Sequence, residues 1–244
     1  MAQLSPAQIK TMLDNRWFGK LPEIVRQEVL DRARLRHLKN GEVLFFKGQA
    51  PDGWYAVVEG AIKTGSTSPD GKEAILTFVE PGTWFGEISL FDGLPRTHDN
   101  TAHGDTTVLV VSITDFRAAL STYPVLYSHF MELHCQRIRL MFAAMEEWNT
   151  LPLEDRLMRQ LRHLADVYGK PCPEGIEINL HLPQEDLAQL LGVTRQRVNQ
   201  SLKSWERSGW VQFHYGNILL TRTLLDMSPD SRPWAGSSKR NGGA

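Results

Sequence analysis

The chain has 244 residues and a formal net charge of −1, with 27 Lys and Arg against 28 Asp and Glu. This length allows one large or two modest domains, and the balanced charge gives no global nucleic-acid-binding signature. Apolar runs are too short to span a membrane, and the N-terminus lacks the pattern of a signal peptide. We therefore expect a cytoplasmic globular protein that makes no contact with a membrane.

The charge is unevenly distributed. From Leu187 to Arg222 there are five basic residues and one acidic residue, a net charge of +4. This pattern fits a DNA-binding module joined to another domain. The two cysteines, Cys135 and Cys172, are far apart and predict neither a disulfide framework nor a metal site.

The N-terminal segment predicts helices. Residues 21–38, LPEIVRQEVLDRARLRHL, have the pattern of an amphipathic helix that packs onto the next domain. Its apolar side consists of Ile24, Val25, Val29, Leu30 and Ala33.

From Gly41 to Ile113, short β-branched and aromatic runs such as WYAVV and TVLVV alternate with turn signals. In Ser-Pro-Asp-Gly at 68–71, for example, Pro fixes φ and Gly accepts a positive φ. Strands at this regular spacing predict a small all-β sandwich or barrel.

The segment Trp84–Thr97 inside this β domain suits an anionic ligand. Gly86 permits a close backbone approach, and the N–H groups of a short following helix bind anions. Glu87 can accept from a ribose hydroxyl, Arg96 can clamp a phosphate, and Thr97 adds a hydroxyl. The alternative is that Arg96 is a structural partner of a carboxylate.

The segment Tyr123–Trp148 predicts a long helix, because Pro124 suits its start and no Gly or Pro follows. Residues spaced 4-3-4-3-4-3 form a mostly apolar heptad seam that predicts dimerisation; burial within the monomer is the alternative. The seam comprises Tyr127, Met131, His134, Ile138, Met141, Met145 and Trp148. The second stripe, expected to face the β domain, comprises Leu126, Phe130, Leu133, Leu140 and Ala144.

A break near 149–152 predicts a hinge, followed by a helix at 153–168 and a short strand at 176–180. Residues 183–209 then predict two helices around a tight turn. An apolar stripe marks the first helix, Gly192 ends it, and Thr194 can cap the second.

The second of these helices has two distinct sides. Val198, Leu202 and Trp205 point towards a core. The opposite side has no carboxylate and suits a helix that enters the major groove of DNA; a polar surface hairpin is the alternative. Its side chains are Arg195, Gln196, Asn199, Gln200 and Lys203. A predicted hairpin around Gly216-Asn217 adds the wing of a winged helix-turn-helix, and the tail from Ser228 is expected to be disordered.

This order of elements, with the Gly-Glu…Arg-Thr cassette in the β domain, resembles the CRP/FNR family of bacterial transcription regulators over residues 20–225. The resemblance implies an α+β fold with an N-terminal cyclic-nucleotide-binding β-roll (a jelly roll), a dimerisation helix and a C-terminal winged helix-turn-helix. The corresponding regions are a sensory domain at 1–122, the dimerisation helix and hinge at 123–150, the DNA-binding domain at 151–227 and the tail at 228–244.

The resemblance also implies a function. It predicts a homodimer that binds a two-fold-symmetric DNA site and works with RNA polymerase. Separately, the sequence has no Ser-His-Asp set, metal-ligand spacing or phosphate-loop motif, so no enzymatic activity is expected. The implied effector is cyclic AMP or another cyclic nucleotide. Its implied contacts are Gly86, Glu87, Ile88, Ser89, Arg96 and Thr97.

Departures from the family pattern leave the effector open. His98 replaces a usually small residue, and Met141 and Phe142 stand where the cyclic-AMP members offer hydroxyls. The alternatives are a regulator of the same fold that is ligand-independent or senses haem or another metabolite, and a β-roll that gates a partner protein. An iron–sulfur cluster is not expected, because no N-terminal cysteine cluster exists to hold one.

On the second helix, Arg195 matches the family's guanine-reading arginine. Gln196 and Gln200 replace Glu and Arg, and Gln suits adenine, so the half-site should differ at those positions. The candidate contacts to the DNA backbone are Gln184, Thr194, Arg197 and Lys203. Whether the protein activates or represses depends on promoter position, which the sequence does not encode.

Overall fold

The computed structural model describes residues 4–68, 70–71, 73–214 and 216–226. The chain divides between Met145 and Glu146, inside a long helix, into two compact units. The expected disorder of the tail from Ser228 concerns residues outside the described ranges. Within those ranges, no helix is long and apolar enough to cross a membrane.

The first unit consists of helices packed against a sheet. Its helices are α1 (Pro6–Asp14), a 3-10 turn (Phe18–Lys20), α2 (Glu23–Arg32), α3 (Ile88–Asp92), α4 (Ile113–Thr122) and most of α5 (Val125–Thr150). Its strands are β1 (Arg34–Leu38), β2 (Val43–Phe45), β3 (Gly53–Thr67), β4 (Glu73–Val79), β5 (Trp84–Phe85) and β6 (Asp99–Ser112).

The sheet is antiparallel in the order β1-β6-β3-β4, and β2 pairs with β6 while β5 pairs with β3. Successive side chains of a strand point to opposite faces, so the long strand β3 separates two cores. Trp54 lies in a core that contains Phe116 and Phe130 from the helices. Tyr55 lies in a second core, with Phe85 and other residues of the strands and the adjoining chain. The sheet is therefore buried on both faces around β3.

The prediction of a single helix over 21–38 is wrong. The helix ends at Arg32, and residues Arg34–Leu38 pair with β6 from Arg34↔Val110 to Leu38↔Thr106. Ile24, expected on the apolar side, is 64% exposed. The tail of the segment alternates polar and apolar residues, which suits a strand, and pairing with a distant strand overrides the helical pattern.

The second unit contains the end of α5 and a helix-turn-helix. Its elements are α6 (Leu153–Tyr168), β7 (Gly169–Cys172), β8 (Gly175–Ile178), α7 (Gln184–Leu191), α8 (Arg195–Arg207), β9 (Val211–His214), β10 (Asn217–Thr221) and α9 (Arg222–Leu225). The strands form an antiparallel sheet in the order β7-β8-β10-β9. The predicted helix pair and the hairpin behind it are confirmed.

Candidate effector site and DNA-binding surface

The Gly-Glu segment turns sharply at the end of β5. Gly86 has φ +87°, which favours glycine. A Cβ on Gly86 would lie 3.0 Å from Arg96 Nη1 and 3.3 Å from Tyr55 Cδ2. The backbone conformation therefore favours glycine here, and a Cβ would crowd the arginine packed against it.

Glu87 points inward and is fully buried. Its Oε1 accepts a hydrogen bond from Arg137 Nη1 of α5, and His134 Nε2 lies 3.4 Å from the same oxygen. Burial alone would raise the pKa of Glu87, but the nearby imidazole of His134 and the charge of Arg137 outweigh it and lower that pKa. Its second oxygen, Oε2, is buried and has no hydrogen-bond partner among the described residues.

Arg96 is buried as well, and its guanidinium is paired within the chain. Nη1 donates to Gly86 O at 2.7 Å, and Nη2 donates to Gly53 O at 2.7 Å and to Asp52 Oδ1 at 2.9 Å. The guanidinium carbon lies 4.2 Å from the centre of the Phe45 ring. In this conformation Arg96 is therefore paired with a carboxylate, that of Asp52, as the alternative interpretation of the sequence proposed.

Asp52 is the exposed member of this pair, and it also accepts a hydrogen bond from Tyr55 OH at 2.7 Å. Burial would raise the pKa of Asp52, but the hydrogen bonds from Tyr55 and Arg96 outweigh it and lower that pKa. Asp52 thus remains a carboxylate and balances the charge of Arg96.

The other cassette residues differ in exposure. Ile88 is half exposed, whereas Ser89 is buried and its hydroxyl donates to Pro95 O at 3.2 Å. Thr97 is exposed, and its Oγ1 lies 2.9 Å from His98 Nδ1. Burial, and after it the charge of Lys47, lowers the pKa of His98.

The structure thus brings Gly86, Glu87 and Arg96 together, with each charge already paired. Sequence reasoning missed both partners, Asp52 and Arg137. Arg137 carries one usable signal, a cation next to the seam residue Ile138 on a helix expected to contact the β domain. Asp52 lies 44 residues before Arg96, and nothing in the local pattern marks it.

The seam of α5 lies open in the single chain. Each seam residue except His134 is more than half exposed. His134 is turned towards Glu87, and its ring lies 5.8 Å from the ring of Phe91. Met141 and Phe142 are also exposed.

The second stripe of α5 is buried only in its first half. Leu126, Phe130 and Leu133 are buried, but Leu140 is 69% exposed and Ala144 is exposed too. The expectation that the whole stripe packs on the β domain is wrong, because burial of the stripe ends at Leu133.

The polar side of α8 is exposed except at Asn199, and its apolar side is buried. Val198, Leu202 and Trp205 are buried, and the Thr194 hydroxyl accepts from Arg197 N at 3.4 Å as the N-cap. Gly192 ends α7 with φ +63°. Asn199 is half-buried, as is Gln184 at the start of α7. The exposed polar side chains are Arg195, Gln196, Arg197, Gln200 and Lys203.

Comparisons with known proteins agree with this architecture. A family model of the cyclic nucleotide-binding domain matches residues 35–123, and one of the Crp-like helix-turn-helix domain matches residues 155–227. The chain is similar to a CRP-like cAMP-activated global transcriptional regulator of Mycobacterium tuberculosis, with 27% identity over 74% of this chain and 81% of the relative. A global nitrogen regulator of Synechococcus elongatus is 26% identical over 85% of this chain and 90% of the relative.

Two solved structures show the same fold. FixK2 from Bradyrhizobium japonicum has a TM-score of 0.69 at 20% identity and covers 79% of this chain and 94% of its own. The c-di-GMP-responsive global regulator CLP from Xanthomonas campestris has a TM-score of 0.67 at 20% identity and covers 82% of this chain and 99% of its own.

Proposed function

The chain belongs to the CRP/FNR family of transcription regulators, and we propose that it is a homodimer whose effector is a cyclic nucleotide held by the β-roll. It is a DNA-binding regulator under the control of an effector. Its curated relatives are transcription regulators, and we assign it regulation rather than catalysis. We also propose that it works with RNA polymerase and acts in the cytoplasm.

The observation that carries the effector assignment is the free oxygen of Glu87. Oε2 is buried and has no partner among the described residues, while Oε1 is held by Arg137. A buried carboxylate oxygen without a donor is costly, and a ligand hydroxyl would satisfy it. This supports a ligand that carries a hydroxyl, as a ribose does.

Arg96 supplies the charge for the phosphate of such a ligand. Its Nη2 is shared between Gly53 O and Asp52 Oδ1, and Asp52 is 64% exposed at its side chain. A phosphate therefore binds Arg96 in competition with Asp52 or beside it. The absence of hydroxyls at Met141 and Phe142 makes base recognition different from that implied for the cyclic-AMP members.

Arg137 connects the proposed effector site to the long helix α5. It lies on α5 between His134 and Ile138, next to the proposed dimer seam, and its guanidinium binds Glu87. A ligand hydroxyl bound to Glu87 would thus touch the same carboxylate that Arg137 of α5 binds. A conformation of α5 that binds the ligand more tightly becomes more populated when the ligand is present.

The proposed DNA contacts lie on α8 and at its start. Arg195 is assigned to a guanine, Gln196 and Gln200 to base edges, with Asn199 beside them. Gln184, Thr194, Arg197 and Lys203 are assigned to phosphates. In a homodimer formed along α5, two such helices face two half-sites.

Thermal unfolding of the purified protein with cyclic AMP, cyclic GMP, c-di-GMP or haem tests the effector assignment. An effector at 100 times its Kd stabilises the protein by about 2.7 kcal/mol. Glu87→Gln should abolish this shift, whereas Asp92→Asn, exposed on the same short helix α3, should retain it. The absence of a shift with every nucleotide, while the ligand-free protein binds DNA, would overturn the effector assignment and leave the DNA-binding function intact.

A further inference from the structure

The last turn of α5 belongs to the DNA-binding unit, which begins at Glu146. Glu147 forms an ion pair with Arg159 of α6. One residue on, Trp148 contacts both α6 and the end of α7. Glu147 and Trp148 therefore contact other elements of the same unit, the unit that carries α8.

The ring of Trp148 packs against Gly192, the residue that ends α7. A Cβ added to Gly192 would lie 2.4 Å from Trp148 Cζ2 and 2.9 Å from Cη2. Such distances are shorter than any van der Waals contact between carbon atoms. Gly192 is therefore constrained twice, by its φ of +63° and by the indole ring.

Arg156 of α6 contacts the same ring. Its guanidinium carbon lies 4.9 Å from the centre of the Trp148 ring. Its Nη1 donates to Leu191 O at 3.2 Å, the last carbonyl of α7 before Gly192. A cation over an indole face is attracted by the ring quadrupole, so Arg156 links Trp148 to the end of α7.

The turn fixed in this way leads straight into the DNA-reading helix. Thr194 caps α8 and Arg195 is its first residue, three positions after Gly192. A bidentate contact to a base tolerates only small displacements, because hydrogen bonds weaken steeply with distance and angle. A shift of the turn would thus move Arg195 away from its base.

We infer that Trp148 and Arg156 are positioning residues for sequence-specific DNA recognition. They hold the turn of the helix-turn-helix so that α8 begins at a fixed place and angle. The role is additional to the regulator's DNA binding and to the seam position of Trp148, half of whose side chain stays exposed. It does not depend on the identity of the effector.

The test compares specific with non-specific DNA affinity. The probes are a duplex selected by the wild-type protein from a random pool and an unselected random duplex. Trp148→Leu should weaken binding to the selected duplex about tenfold, because the ring contact and the cation–π attraction are lost. Binding to the random duplex should change less than about twofold, because it depends on charge rather than on the exact orientation of α8.

Matched variants separate positioning from general stability. Trp148→Phe keeps an aromatic face for Arg156 and should restore specific affinity to within about threefold of wild type. Glu146→Gln, exposed in the same turn of α5 but off the seam, should leave the ratio of specific to non-specific affinity unchanged. Equal loss on both duplexes, or wild-type affinity of Trp148→Leu for the selected duplex, would overturn the inference.

A double-mutant cycle tests the contact itself. Gly192→Ala should cost more specific affinity in the wild type than in a Trp148→Ala background, by a factor of about five, since removal of the ring relieves the clash. Independent effects would refute the contact. If the double variant fails to fold, the Arg156→Lys variant is measured instead. A loss of specific affinity with unchanged non-specific affinity would support the positioning role of Arg156, and no loss would overturn it.

Discussion

The charged groups of the cassette in the β-roll are buried, whereas most polar groups of helix α8 are exposed. Glu87 and Arg96 are 0% and 3% exposed, and each is paired within the chain. On α8, by contrast, Arg195, Gln196 and Gln200 are exposed. The seam of α5 is exposed too, although its side chains are mostly apolar.

This difference in burial determines what a partner or ligand must displace in order to bind each site. An exposed surface binds its partner without first breaking contacts inside the protein. A paired, buried site makes a ligand compete with internal partners, and its residues also contribute to folding stability. Substitutions on α8 and in the seam should therefore change intermolecular binding, and those in the cassette should also change stability.

The largest effect is expected for a charge in the seam. Met141→Glu places two like charges against each other in a homodimer, and dimerisation should weaken by about 100-fold or more. Sedimentation equilibrium measures this change. Leu140→Glu is the control, because Leu140 is equally exposed but lies off the seam. If both variants weakened dimerisation alike, the seam would not be the interface.

Removal of the first side chain of α8 should come next. Arg195→Ala should cost about 1–3 kcal/mol of specific binding and relax the preference at one base pair, with thermal stability unchanged. Titration of duplexes with single base-pair changes measures both effects. Arg207→Ala, exposed at the far end of α8, should keep the preference. A uniform loss over all duplexes would make Arg195 a phosphate contact instead.

In the cassette, Arg137→Gln should lower the free energy of unfolding by about 1–2 kcal/mol, because it leaves the buried Glu87 without its cation. This loss of unfolding free energy is smaller than that expected for a fully buried ion pair, because the Arg137 side chain is 30% exposed. Denaturant unfolding measures the effect, and Arg139→Gln, exposed on the same helix, is the control.

The same variant gives a pH signature with a defined sign. The pKa of Glu87 is below its ordinary 4.5 in the folded protein. Its contribution to stability is thus fully present above that value and is lost as the pH falls through the lower, folded pKa. The deficit of Arg137→Gln should shrink in acid. A deficit that stays constant down to the folded pKa would show that Arg137 acts through packing alone.

The smallest effect is expected at His98. Burial lowers the pKa of His98 below its ordinary 6.5, so the ring is neutral at physiological pH and gains a charge only as the pH falls below that value. An anionic effector should then bind more tightly as the pH falls through the lowered pKa, and His98→Gln should show no such rise. Isothermal titration calorimetry measures both profiles, and a fall in wild-type affinity would place His98 away from the anion.

The sequence determined the elements whose pattern repeats over short distances. The 3.6-residue period of α8 identified both its buried apolar side and its polar side, since every third or fourth residue shares a face. Gly192 and Thr194 marked the turn because helix ends have their own local chemistry. The same reasoning located α5 and the run that forms β3.

Only the tertiary structure decided which charges are paired and which contacts fix the turn. Asp52 meets Arg96 across 44 positions and Glu87 meets Arg137 across 50, distances that only the packing of strands and helices brings together. The ring of Trp148 has the spacing of a seam residue, yet it packs against Gly192 because α5 runs on into the second unit. Local periodicity fixes the face of an element, and the packing of distant elements fixes what that face contacts.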